Sequence, residues 1–209
     1  SWRVICCAMR HHTMEQNLEV FRTATEYLDR GVCAVDLAGD EASYPASQFT
    51  DLFAEARALG IPFTIHAGEC HSTENVRTSI EMGAKRIGHG IAMKEDPELM
   101  KLAAERDVGI EMCPCSNFQT KAVQEGEEYP LALFWEQGLL VTVNTDNRTV
   151  SQTSETRELK MALELMEASQ KPVEDEKTFC RKLMENSIRT AFLPEEEKER
   201  LRHILENFS

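Results

Sequence analysis

Six side chains able to do chemistry fall at the ends of short apolar runs. His66 and Glu69 close "FTIHAGE", and His89 closes "RIGHG". Asp146 lies in "VNTDN", Asp36 in "VDLAG" and Ser116 in "CPCSN". A buried run of β-formers that ends in an imidazole and a carboxyl needs a reason, because both groups are costly to bury. Two histidines, a glutamate and an aspartate drawn to one place would make a first shell for a divalent metal, with an acid and a base beside it.

Each of these residues also has a plainer reading. A lone histidine at a strand end is commonly a hydrogen-bonded core residue. An aspartate before a turn commonly closes an Asx-turn or caps a helix. Cys113-x-Cys115 reads as packing, because this is not zinc-knuckle spacing. His11 and His12 are adjacent after a strand end and are expected to point opposite ways, so they cannot chelate as a pair. His71 and His203 read as surface residues. The functional reading gains its weight from conjunction: consecutive units carry an ionisable or hydroxyl group at the same end.

That argument needs strands, and the sequence supplies six apolar runs. They are Val4–Met9, Cys33–Ala38, Phe63–Ala67, Arg86–His89, Gly109–Cys113 and Leu140–Asn144. They lack clean alternation, as parallel strands covered on both faces should. Helical patterns separate them, at 15–30 and 47–59, and Asp96-Pro97 offers an N-cap with proline at the first helical position. Gly31, Gly60, Gly83 and Gly138 stop the patterns shortly before the next strand. After Asp146 the chain reads helical at 154–169, 176–190 and 195–207; the last opens on Pro194 and a glutamate run that complements the helix dipole.

Alternating strands and helices imply parallel βαβ units. A (β/α)8 barrel and an open doubly wound sheet both fit, but no G-x-G-x-x-G follows any strand, which weakens the open sheet. In a barrel every strand's C-terminal end opens onto one face, where active sites lie. Residues 1–209 read as a single domain. The net charge of −13 argues against nucleic acid, which needs a basic footprint. No run approaches a membrane span, and no signal peptide is legible. The seven cysteines read as reduced, buried thiols of a cytoplasmic protein.

The motifs "DLAGDE" (36–41), "HAGE", "GHG", "CPCSN" (113–117) and "NTDN" together resemble the adenosine deaminase family, within the metal-dependent amidohydrolase superfamily. The resemblance runs from Arg3 to about Leu193. It implies zinc-dependent hydrolytic deamination of adenosine, and of deoxyadenosine, to the inosine product and ammonia. It also implies roles for individual residues. His66 and Asp146 are zinc ligands. His89 orients the attacking water and helps deprotonate it. Glu69 donates a proton to purine N1, which calls for a raised carboxyl pKa. The Gly39 backbone donates to N3, and Asn147 contacts N7. Gly68 leaves room for close approach.

There are two departures from the family pattern. Many members carry a second aspartate where this chain has Asn147. The family's other two zinc ligands form an H-x-H at the end of the first barrel strand, and the six histidines here contain no such pair. Six strands matching the third to the eighth of a barrel imply at least ~60 residues elsewhere. The expectation is therefore an incomplete (β/α)8 barrel, inactive alone, whose partners are a purine nucleoside and either the missing N-terminal segment or a second copy at the open edges. Two readings compete. One is a deaminase of adenine, AMP or another aminopurine; AMP is disfavoured because Arg10 and Arg148 are the only basic residues next to the motifs. The other is a fragment that is catalytically incomplete.

Overall fold

The structure, a computed structural model, describes residues 2–28 and 30–207. Strands β1 (Val4–Met9) and β2 (Val32–Ala38) pair in parallel, with Met9 opposite Ala38. Strands β3 (Thr64–Ala67), β4 (Arg86–His89), β5 (Gly109–Met112) and β6 (Leu140–Val143) form a second parallel run in that order. A single bridge between Val35 and Phe63 joins the two, so spatial order follows chain order throughout. Among the described residues β1 pairs only with β2, and β6 only with β5. This is a (β/α)8 barrel left incomplete: six of eight strands, with edges at β1 and β6.

Helices cover the outside. They are α1 (Met14–Thr25), α2 (Thr50–Ala58), α3 (Thr73–Glu81), α4 (Pro97–Glu105), α5 (Pro114–Gln119) and α6 (Leu131–Glu136). After β6 come α7 (Arg148–Ser151), α8 (Glu155–Ala168), α9 (Glu176–Thr190) and α10 (Glu195–Glu206). The Asp96 carboxylate caps α4 by accepting from Leu99 N, with Pro97 at the first position, as its sequence requires. Phe21 of α1, Phe53 of α2 and Phe63 stack in series, with ring centroids 5.6 and 4.6 Å apart. All three are buried. Each contributes roughly 1.5–3 kcal/mol of apolar burial, which clamps the first two helices onto the sheet.

The strands alternate after all. Ile65, Ile87, Ile110 and Val141 share one register and are fully buried beneath the helices. The next register is His66, Gly88, Glu111 and Thr142, and it faces inward. The expectation of strands apolar on both faces therefore fails, because the barrel interior here is polar. Arg86 pairs with Glu111, and the Thr64 hydroxyl donates to the same carboxylate at 3.3 Å. Among the described residues no helix is long and apolar enough to cross a membrane.

Candidate active site

His66 stands on β3 with its ring pointing inward. Nδ1 donates to the Asp36 carboxylate of β2, whose oxygens lie 3.0 and 3.1 Å away. Burial alone would depress the imidazole pKa, but Asp36, Glu111 and Asp146 outweigh it and raise the value to about 9. Nε2 is left for another partner. The ring has room because its neighbour across the sheet is Gly88: a Cβ there would stand 3.3 Å from His66 Cγ and 3.2 Å from Cα.

Gly68 does something other than expected. Its φ is +82°, and a Cβ would stand 2.6 Å from Val76 Cγ2 on α3. The missing side chain makes room for a helix, not for a ligand. The turn it starts is held by Glu41, whose buried carboxylate accepts from the backbone N–H groups of Gly68, Glu69 and Cys70 at 2.6, 3.1 and 3.2 Å. Three charge-assisted bonds fix the segment that carries Glu69. Glu41 sits inside the "DLAGDE" stretch, and only its burial shows the role.

Strand parity would place His89 on the helix-covered face with Ile87. Its φ of +67° turns the chain instead, and the ring comes to rest 5.2 Å from that of His66, with Nε2 3.6 Å from Glu69 Oε2. Burial pushes the His89 imidazole below its usual pKa, against the pull of the Glu69 carboxylate. Asp146 is also left-handed, at φ +50°. Its Oδ2 accepts from the Ser116 hydroxyl at 2.7 Å. Left-handed backbone at two non-glycine residues of one site is strain held by the surroundings.

Helix α5 grips the site through neighbouring residues. Besides Ser116, Asn117 hydrogen-bonds to His89 Nδ1 at 3.0 Å, and Thr120 at its C-terminal cap donates to Glu69 Oε1 at 2.9 Å. Asn117 is held in turn by the Tyr129 hydroxyl at 2.9 Å. Sequence reasoning missed Asn117, Thr120 and Tyr129; the only available signal was an amide inside "CPCSN".

The structure thus brings His66, Glu69, His89 and Asp146 to the C-terminal ends of β3, β4 and β6. Gly39 directly follows β2, with φ +110°, and is exposed. Asn147 caps α7, its Oδ1 accepting from Thr149 and Val150 N–H at 3.2 and 3.1 Å, which turns the amide nitrogen away from the helix. His71 and His203 are exposed, as expected. His11 and His12 do not diverge: their ring centroids are 4.6 Å apart, edge to face. β1 ends at Met9, so strand alternation does not govern them. The cysteines are all unpaired, but Cys7 and Cys70 are exposed rather than buried, Cys7 because it lies on the open side of β1 and Cys70 because it lies in the loop after β3.

The residues fit zinc in kind. His66 offers Nε2, with a carboxylate behind Nδ1 to fix the ring and raise its basicity, and Asp146 offers Oδ1. They do not fit it in number: among the described residues no group of three or more His, Cys, Asp or Glu could hold a metal ion.

The sequence profile of adenosine deaminases matches residues 1–208. The chain belongs to the adenosine deaminase family. The adenosine deaminase of Enterococcus faecalis is 42% identical over 197 residues, covering 94% of this chain and 56% of that protein. The N6-methyl-AMP deaminase of Arabidopsis thaliana superposes with a TM-score of 0.87 at 24% identity, covering 99% of this chain and 59% of the other. An amidohydrolase from Burkhoderia ambifaria with bound zinc superposes with a TM-score of 0.82 at 22% identity, covering 98% of this chain and 56% of the other. The structural likenesses establish the fold. The chain spans little more than half the length of the adenosine deaminase it matches. Arg10 is buried, with its guanidinium donating to His66 O at 2.7 Å and to Tyr44 O, and its charge is committed to holding β3.

Proposed function

We propose that this chain supplies the acid, the purine-binding groups and part of the metal site of an enzyme that hydrolyses adenosine, and deoxyadenosine, to the inosine product and ammonia. The observation that carries the reading is the convergence of His66, Glu69, His89 and Asp146, with His89 Nε2 3.6 Å from Glu69 Oε2. His66 Nε2 and Asp146 Oδ1 would hold zinc, with further ligands from outside the chain. Zinc bound there makes water a usable nucleophile near neutral pH.

The residues of the chain do the rest. Gly39 N–H and the Asn147 amide orient the purine through N3 and N7. Water adds its oxygen at C6 while its proton passes to a basic group of the site. Glu69 gives a proton to N1 as electrons move there. The C6–N6 bond then breaks: N6 takes the returned proton and leaves as ammonia, and the C6 hydroxyl proton passes to Glu69 as the carbonyl forms, restoring the acid. With Arg10 committed to structure and Arg86 paired with Glu111, Arg148 is the basic residue left beside the motifs, which favours a nucleoside over AMP. The enzyme would act in the cytoplasm, in purine metabolism.

The partner of the open edges is the remainder of the barrel. The open edges of β1 and β6, with Trp2 75% and Val4 42% exposed, favour pairing or self-association. The test is to purify residues 1–209 and measure zinc content, oligomeric mass and inosine release, then to add the complementary N-terminal units. Alone, the chain should bind zinc weakly, self-associate and release no inosine. The added units should restore zinc and activity together. A monodisperse monomer with one tightly held zinc and full turnover would overturn the incomplete-site reading.

A further inference from the structure

We infer that Asn117, locked by Tyr129, is a positioning residue that fixes the tautomer of His89, so that the imidazole presents an N–H to the site and acts there as a donor. This rests on the proposed deaminase reading only for its catalytic meaning; the hydrogen-bond argument stands alone.

The argument follows protons through three buried side chains. Tyr129 is buried, and its hydroxyl keeps its proton because burial pushes the pKa well above the usual value. That proton goes to Asn117 Oδ1, 2.9 Å away. With its oxygen engaged, Asn117 turns its NH₂ group toward His89 Nδ1 at 3.0 Å. An amide NH₂ donates and cannot accept, so Nδ1 must be the unprotonated nitrogen. A neutral imidazole then carries its hydrogen on Nε2, the atom 3.6 Å from Glu69 Oε2. Turning the amide over would set NH₂ against the Tyr129 hydroxyl in place of its acceptor Oδ1, and would leave a buried hydroxyl proton unpaired. Asn117 is itself wholly buried, with no solvent to compensate.

The consequence changes the role of His89. An Nε2–H can hold the oxygen being added at C6, or donate to Glu69, but it cannot take a proton from the attacking water. That proton must pass to the Asp146 carboxylate.

The test uses the full-length enzyme that carries this chain, with ¹⁵N-labelled histidine and His89 assigned by comparison with His89→Gln. At pH 7 the expected spectrum shows an unprotonated Nδ1 and a protonated Nε2 for His89. Asn117→Asp places an acceptor at Nδ1 and should reverse the tautomer, while kcat falls at least about tenfold, toward the ~10²–10³-fold loss of a transition-state donor, and KM stays within about threefold. If Asn117→Asp does not fold, Tyr129→Phe should give a mixture of tautomers and a smaller loss of kcat. A protonated Nδ1 in the unaltered enzyme overturns the inference, and so does an Asn117→Asp enzyme that keeps both tautomer and kcat. If the enzyme releases no inosine, the deaminase reading fails, yet the nitrogen shifts still decide the tautomer.

Discussion

The Thr120 hydroxyl donates to Glu69 Oε1 at 2.9 Å, which leaves Oε2 as the oxygen free to carry an acid proton. That oxygen is also the one nearer His89. If Glu69 is the proposed acid, the C-terminal cap of α5 therefore selects which edge of the carboxyl acts.

Glu69→Gln keeps an acceptor for Thr120 and removes the acid. In the complete enzyme turnover should fall ~10²–10⁴-fold, the usual contribution of a general acid, with zinc still bound. Metal analysis and steady-state kinetics check it. A loss below tenfold would remove Glu69 from the donor role.

Asn147→Asp separates the cap from the substrate contact. A carboxylate can accept from Thr149 and Val150 as the amide does, so the stability change should stay below ~0.5 kcal/mol. The donor to N7 is lost unless the acid is protonated. Deamination should persist, but the ratio of kcat/KM for adenosine to that for 7-deazaadenosine should shift. An unchanged ratio would eliminate the N7 contact.

Glu41→Gln leaves one carbonyl oxygen to serve three N–H groups and turns an NH₂ toward one of them. The loss of charge-assisted bonds at a buried site should cost about 2–4 kcal/mol. Urea unfolding should show a lower midpoint with an unchanged slope. A midpoint equal to that of the unaltered chain would mean the turn carrying Glu69 is held by something else.

Cys7 should be inert despite its exposure. Burial of the sulfur against the sheet, then the Asp36 carboxylate, push the thiol up to about 12. At pH 8 the thiolate fraction is then on the order of 10⁻⁴. Iodoacetamide labelling followed by mass spectrometry should leave Cys7 largely unmodified at pH 8. Asp36→Asn removes a negative charge, lowers the pKa and should speed labelling. A Cys7 rate equal to that of a free thiol would contradict the assigned environment.

What was legible in the sequence was local. The strands at Val4–Met9 and Arg86–His89 have the expected bounds, because short apolar runs followed by turn chemistry leave little freedom. Gly31, Gly60, Gly83 and Gly138 all carry positive φ at the predicted stops. The strand expected to run to Cys113 ends at Met112, because Pro114 starts α5 immediately after. What was not legible depends on contacts between distant segments. Glu41 acts on residues 27 to 29 positions away, and Thr120 on one 51 away. Nothing local marks Tyr129 as the residue that orders Asn117. The polar inner register of His66 and Glu111 was hidden because Gly88 contributes no side chain to it and so breaks the pattern.

The left-handed backbone at His89 and Asp146 sets a conflict for any laboratory evolution of this chain. Glycine adopts that conformation without the steric cost borne by other residues. Selection for heat resistance alone would favour glycine first at 146, where the side chain is exposed, and only later at 89, where a buried ring would be lost. The variants that best survived heating would be enriched in those that had discarded the proposed metal ligand. Stability screens on this scaffold therefore need activity as a second filter from the first round.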